Sequence, residues 1–200
     1  SSHPNSSVFL PSLRLTSGEL TVRPIRTRDA RALDRENLEN RGWLRQWEAT
    51  LPGGFVSLDA RTNIRSLLSY ARIGGGLPFV LEVNGELVGQ INVSGITWGS
   101  MCSASIGYWV SERVAGRGLT PLAVALVTDY CFRELGLHRI EICIRPENAA
   151  SLRVVEKLGF RYEGRRDKFI HIAGDWRDHE CFALTVGEVP DGLLARYLAQ

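Results

Sequence analysis

The sequence predicts a single α/β (α+β) domain built around a central sheet. Three observations carry that prediction. The order of elements is mixed: helices early, then a meander of strands, then alternating strand and helix. Asn84-Gly85 stands between two apolar runs, which is the strongest short hairpin signal. Thr120-Pro121 opens a long apolar stripe, with Thr as N-cap and Pro at the first helical position.

The elements follow in order. Leu13-Arg14-Leu15 and Leu20-Thr21-Val22-Arg23 alternate about Ser17-Gly18 and read as a hairpin, which Pro24 limits. Thr27 or Asp29 can cap a first helix through Ala30, Leu33 and Asn37. An aromatic segment with Trp43 and Trp47 comes next. Ser57 reads as the N-cap of a second helix whose apolar face is Ala60, Ile64, Leu67, Leu68 and Ala71. Gly74-Gly75-Gly76 ends it. Residues 79–83 and 86–93 form the Asn84-Gly85 hairpin, and 103–110 a third strand. The long helix carries Ala123, Leu126, Val127 and Tyr130 on one stripe, with Gly136 as its C-cap. Residues 139–144 alternate as a strand with Ile140, Ile142 and Ile144 on one face. Asn148 caps a helix over 149–158 that Gly159 closes. Strands over 160–172 and 176–186 flank Ala173-Gly174-Asp175, and 190–198 reads as a terminal helix. Residues 1–10 read as a disordered tail or an expression remnant, and 11–200 as one domain.

Composition agrees. With 200 residues, 44% hydrophobic and 23% charged, the chain is globular and needs no disulfide or metal to fold. A net charge of +2 gives no bulk argument for nucleic acid or an anionic membrane. Four cysteines without a CxxC pair read as buried reduced thiols, not a metal site. No apolar run approaches the length of a membrane span, and the polar start lacks a signal-peptide pattern, so the expected location is cytoplasmic.

The candidate chemistry begins at Tyr108-Trp109-Val110, where a strand ends. Arg113-Val114-Ala115-Gly116-Arg117-Gly118-Leu119-Thr120 then leads into the long helix. Amides at a helix start are unpaired and, with the helix dipole, favour an anion. Two glycines let backbone approach that anion closely, and Arg113 and Arg117 add positive charge. A pyrophosphate is the expected guest. Taken alone, the two glycines read better as a tight turn. The sequence holds no GxxxxGK[ST], and Pro121 occupies the third glycine position of a GxGxxG reading.

Arg-x-x-Gly-x-Gly, followed by Asn148-x-x-Ser151 and Glu156-Lys157-Leu158-Gly159-Phe160, resembles the paired motifs of the GNAT (GCN5-related N-acetyltransferase) superfamily. Trp43-Leu44-x-x-Trp47-Glu48, Val88-Gly89-Gln90-Ile91, Ile106-Gly107-Tyr108-Trp109 and Trp176-Arg177-Asp178-His179 resemble its RimJ/RimL branch. That branch acetylates N-termini of ribosomal proteins. The resemblance implies a mixed, mostly antiparallel sheet of about seven strands flanked by helices. It also implies acetyl-CoA as cosubstrate. The loop amides would hold the pyrophosphate, and the strand at Tyr108, Trp109 and Val110 would pair with the pantetheine arm. Asn148 and Ser151 would complete the coenzyme A site.

The implied reaction is attack of a neutral amine on the acetyl thioester, with a backbone N–H near Val110 receiving the developing oxyanion. Many family members protonate the departing thiolate with a Tyr, but Val155 stands at that position. The branch implies Ser151 instead, whose other reading is a residue helping Asn148 cap the helix. The family's usual Glu in the third strand is replaced by Ser105. Glu141 is therefore the first candidate base, its alternative being an ion pair with Arg139. Glu48, Glu82, His171 and a chain of waters are weaker candidates. Trp43 and Trp47 would share one helical face and either pack in the core or wall the acceptor groove, with Glu48 beside them to attract a cationic amine. The expected acceptor is a protein N-terminus. The rivals are a small amine such as an antibiotic or polyamine, and a non-catalytic acyl-CoA-binding module. A monomer or a homodimer is expected.

Overall fold

The computed structural model describes residues 11–52 and 59–200. The expected tail and the expected cap Ser57 lie outside them. In chain order the elements are β1 (Leu15–Ser17), β2 (Leu20–Pro24), α1 (Ala30–Glu39), α2 (Arg41–Leu44), α3 (Ala60–Arg72), β3 (Leu77–Val83), β4 (Glu86–Thr97) and β5 (Ser103–Val110). They continue with α4 (Leu119–Arg133), β6 (Arg139–Ile144), α5 (Ala149–Leu158), β7 (Arg161–Ile172), β8 (Asp175–Thr185) and α6 (Leu193–Leu198).

The sheet has eight strands in the order β1-β2-β3-β4-β5-β6-β8-β7. Every neighbouring pair is antiparallel except β5–β6. Asn84 and Gly85 both have positive φ, 53° and 79°, as the two-residue turn between β3 and β4 requires. Alternation along the strands divides the apolar side chains between two faces. Ile91, Ile106, Ile140 and Ile142 pack with α4, α5 and α6 on one face. On the other, Val80 and Leu87 pack with Leu33 of α1 and Ile64 of α3.

The helix caps explain themselves locally. Asp59 caps α3, its carboxylate accepting from the Thr62 N–H at 2.7 Å. Asp29 precedes α1 but does not cap it. Its carboxylate accepts from the Arg26 N–H and the Arg23 guanidinium instead. Asn148 caps α5 as expected, accepting from the Ser151 N–H at 3.1 Å.

β4 and β5 approach unusually closely at Gly89. A Cβ there would stand 2.4 Å from the Trp109 carbonyl and 3.1 Å from Val110 Cα, both backbone atoms that cannot swing aside. Gly89→Ala is expected to cost about 2–3 kcal/mol, at the upper end for overpacking, in urea denaturation. An unchanged midpoint would contradict the close approach.

The β7–β8 edge is laced by ion pairs. Arg161 bonds Glu163 and Glu188, and Arg139 also reaches Glu163. The Arg139 and Arg161 hydrogen bonds hold the Glu163 carboxyl down at about 2, and Arg161 holds Glu188 there too. A depressed folded pKa stabilises above the unfolded value near 4.3 and loses that effect as pH falls toward 2. Melting temperature should therefore decline over that window, and Arg161→Ala should flatten the decline.

Candidate active site

The site is built where the sheet opens. β5 and β6 pair only from Ser103↔Arg139 to Ser105↔Glu141. Beyond that register β5 runs on to Val110 and β6 to Ile144 without pairing to each other. The Ser111 N–H donates to the Val88 carbonyl at 2.8 Å, which makes Gly89↔Val110 a non-hydrogen-bonded pair. The Val110 N–H and C=O therefore face away from β4, toward the gap that β6 leaves. By the same alternation Tyr108 does so as well. A cavity of about 460 Å³ is lined by Ile106, Gly107 and Tyr108 of β5 and by Ile142, Cys143 and Ile144 of β6.

One side of the gap ends at the loop before α4. Gly116 and Gly118 have φ of 82° and 76°, and a Cβ on either would meet nothing within 4 Å. Both conditions suit a backbone that a ligand approaches. Here the helix-start prediction needs correction. α4 begins at Leu119 with left-handed Gly118 as its N-cap, so Thr120 and Pro121 are its second and third residues. Pro121 has no N–H to leave unpaired in the first turn. No side chain caps this helix, so its free amides stay open toward the loop.

The loop is anchored from α1 by two residues that carry no motif signal. Glu36, 1% exposed, pairs with Arg113 at 2.5 Å. Buried Asn40 accepts from the Glu112 N–H at 2.8 Å and from the Ser111 hydroxyl at 3.3 Å. Arg113 also reaches Glu86 at 3.2 Å, and Arg117 pairs with Glu19 at 2.6 Å. Both arginines thus have carboxylate partners, and Arg113 serves to hold the turn in place.

On the α5 side, the Ser151 hydroxyl lies 2.7 Å from the Tyr108 hydroxyl. Burial pushes the Tyr108 phenol up to about 12, so it stays protonated. Both side chains line the cavity. The α5 cap uses the Ser151 backbone N–H, which leaves its hydroxyl free for other work.

The far wall comes from α3, the segment before it, β6 and β8. Ala49 bridges to Ile172, and Thr50 and Glu48 bond the β7–β8 hairpin through their backbones. The Arg145 guanidinium lies over the Trp47 ring at 5.4 Å and donates to the Gln46 carbonyl. His179, 3% exposed, reaches the cavity from β8. Asn92 reaches it from β4, and its buried Oδ1 has no hydrogen-bond partner among the described residues. Among the described residues lining the cavity there is no Asp or Glu.

Residues 19–161 match the family described as "Acetyltransferase (GNAT) domain". The chain belongs to the GNAT acetyltransferase family. Over 191 residues it is 30% identical to the [Ribosomal protein uS5]-alanine N-acetyltransferase of Escherichia coli, covering 92% of this chain and 96% of that one. It is 43% identical over 99 residues to the "Probable N-acetyltransferase YjcK" of Bacillus subtilis, a match spanning 50% of this chain and 55% of that relative. The solved structure of Mycobacterium smegmatis RimJ with CoA-disulfide superposes with a TM-score of 0.83 at 37% identity, covering 90% of this chain and 88% of that one.

This GNAT chain is therefore an acyltransferase that uses acetyl-CoA. The open glycine turn, the uncapped α4 and the unpaired β5 edge fit that cosubstrate. Of the expected residues, the fold brings Tyr108, Asn148, Ser151 and Trp47 to one cavity. It does not bring Trp43 or Glu48 there. The chain leaves α2 for a 3-10 turn over Arg45–Trp47, so the two tryptophans do not share one helical face. The Trp43 indole donates to the Val110 carbonyl at 3.2 Å, and Glu48 is exposed. Glu141 is corrected as well. It sits in the paired base of the gap, bonded to Arg139 at 2.8 Å and Arg166 at 3.1 Å, and does not line the cavity. Glu82 is paired with Arg23, and His171 with Thr50. No helix among the described residues is long and apolar enough to cross a membrane.

Proposed function

We propose that this acetyltransferase modifies the α-amino group of a protein N-terminus, with ribosomal proteins the first class to test. The carrying observation is the absence of Asp and Glu from the cavity lining among the described residues, while Arg145 contributes a positive charge. A polyamine or aminoglycoside carries several positive charges, and such a wall offers them no counter-ion. A peptide start presents one amine that is neutral after losing one proton, followed by uncharged backbone. Ile106, Ile142 and Ile172 give it an apolar surround suited to a small first side chain. The E. coli relative named for uS5-alanine supports the same reading.

The residues divide the work. The loop amides and the α4 N-terminus hold the pyrophosphate, and the free β5 edge aligns the thioester arm. Acetyl-CoA supplies an activated acyl group when bound. The Val110 N–H receives the negative charge that collects on the carbonyl oxygen. Ser151, ordered by Tyr108, donates to the departing sulfur.

The test is thiol release from acetyl-CoA with peptides beginning Ala, Ser or Met, beside spermidine and an aminoglycoside. Release with peptides alone is expected. Release with the cationic small amines alone would overturn the assignment.

A further inference from the structure

We infer that His179 accepts the proton of the acceptor amine, and that Asn92 holds the amine against it. This rests on the acetyl-transfer reading of the cavity. The base expected from sequence is displaced: Glu141 is held by two guanidinium groups outside the cavity, and no other carboxylate lines it among the described residues. His179 stands on the β8 face that also carries Cys181 and Ala183, two residues before Cys181, which pairs with Cys143 of β6. Its Nδ1 lies 2.9 Å from the Arg177 carbonyl. A carbonyl can only accept, so Nδ1 carries the hydrogen and Nε2 keeps its lone pair. Among the described residues Nε2 makes no hydrogen bond, while the ring lines the cavity. The Phe169 ring meets it edge-on at 5.9 Å and fixes its plane.

The charged surroundings agree with this role. Burial lowers the His179 pKa and outweighs the Arg177 carbonyl bond, which raises it; Arg145 lowers it, and Asp178 and Glu147 raise it, by less. The ring is then neutral and able to accept at pH 7. The cavity's thiol Cys143 is pushed well above its ordinary range by burial and is no substitute. Asn92 supplies the second observation. Asn92 lines the same cavity, and its buried Oδ1 has no hydrogen-bond partner among the described residues. An amine N–H satisfies that acceptor, whereas a bound carbonyl cannot.

The step balances. The amine lone pair forms the N–C bond as the C–S bond breaks. The amine proton moves to His179 Nε2, and the sulfur leaves with the electron pair as a thiolate that accepts a hydrogen bond from the Ser151 hydroxyl and then takes its proton from solvent. The imidazolium returns its proton to solvent once the amide leaves.

The experiment follows kcat/KM, corrected for the neutral fraction of the nucleophile, against pH with a peptide capped by an aminooxyacetyl group, which is far less basic than an α-amine. Any acidic limb then belongs to the enzyme. Wild type should lose rate tenfold per pH unit below an inflection that lies under the ordinary histidine value of about 6.5. His179→Gln should lower kcat about 10²-fold, remove that limb, and leave the acetyl-CoA Kd within about twofold. Asn92→Ala should raise the acceptor KM and leave the limb in place. A wild-type profile without the limb would overturn the proposal even if no variant folds. So would a limb retained in His179→Gln. If peptides are not acetylated and a small amine is, the N-terminal reading fails, and the same profile measured with a weakly basic small amine still decides His179.

Discussion

Ser151→Ala should lower kcat about 10²-fold while the acetyl-CoA Kd moves less than about twofold. The size follows from removing one donor aimed at developing charge. The separation follows from geometry. Asn148 caps α5 through the Ser151 backbone N–H, which alanine retains, so the helix start survives the change. Only the hydroxyl bonded to Tyr108 at 2.7 Å is lost. Tyr108→Phe should then show a smaller fall, since the serine hydroxyl remains but is less well ordered. Stopped-flow turnover beside calorimetric binding makes the distinction. A Ser151→Ala enzyme with wild-type kcat would reduce Ser151 to a capping residue.

Arg113→Ala should destabilise the protein by about 2–3 kcal/mol and raise the KM for acetyl-CoA. Removing a partner from a buried ion pair commonly costs about 3–5 kcal/mol, because the remaining charge is stranded. Glu36 is such a charge, with a side chain only 2% exposed. The Arg113 side chain is 41% exposed, so water already screens part of the attraction, and the lower figure applies. Adding Glu36→Gln should recover much of the stability, because the stranded charge is gone. It should not recover KM, since the loop would still lack its tie to α1. Equal losses in the single and double variants would show that Arg113 acts through something other than Glu36.

These two residues illustrate what the sequence discloses and what it hides. Ser151 follows Asn148 at fixed local spacing, so cap and hydroxyl are both readable from a short window. The same holds for Asn84-Gly85, where two left-handed residues leave few alternatives. The Glu36–Arg113 pair spans 77 residues and depends on how α1 crosses the sheet, which no short window contains. The Glu141–Arg139 ion pair was the other reading of a short window, but its second partner Arg166 lies 25 residues away and reaches it only through the β6–β8–β7 order. His179 was visible inside Trp176-Arg177-Asp178-His179, but its tautomer depends on a backbone carbonyl that sequence does not place. At α4, the Thr-then-Pro rule misplaced the helix start by two residues. That rule assumes a side chain satisfies the first amides, and here no side chain caps them.

The parting of β5 and β6 has a wider consequence. An unpaired strand edge on a protein's rim invites the strands of other chains. Here the two free edges look at each other across an internal notch whose base is stitched at Ser103–Ser105. The molecule keeps a stretch of sticky backbone without offering it to its neighbours. A slender extended molecule threaded into the notch can take the place of the missing strand pairing. With the acyl donor seated there as proposed, it would act as a removable piece of the sheet, and the protein's resistance to unfolding should track how much of that donor is at hand.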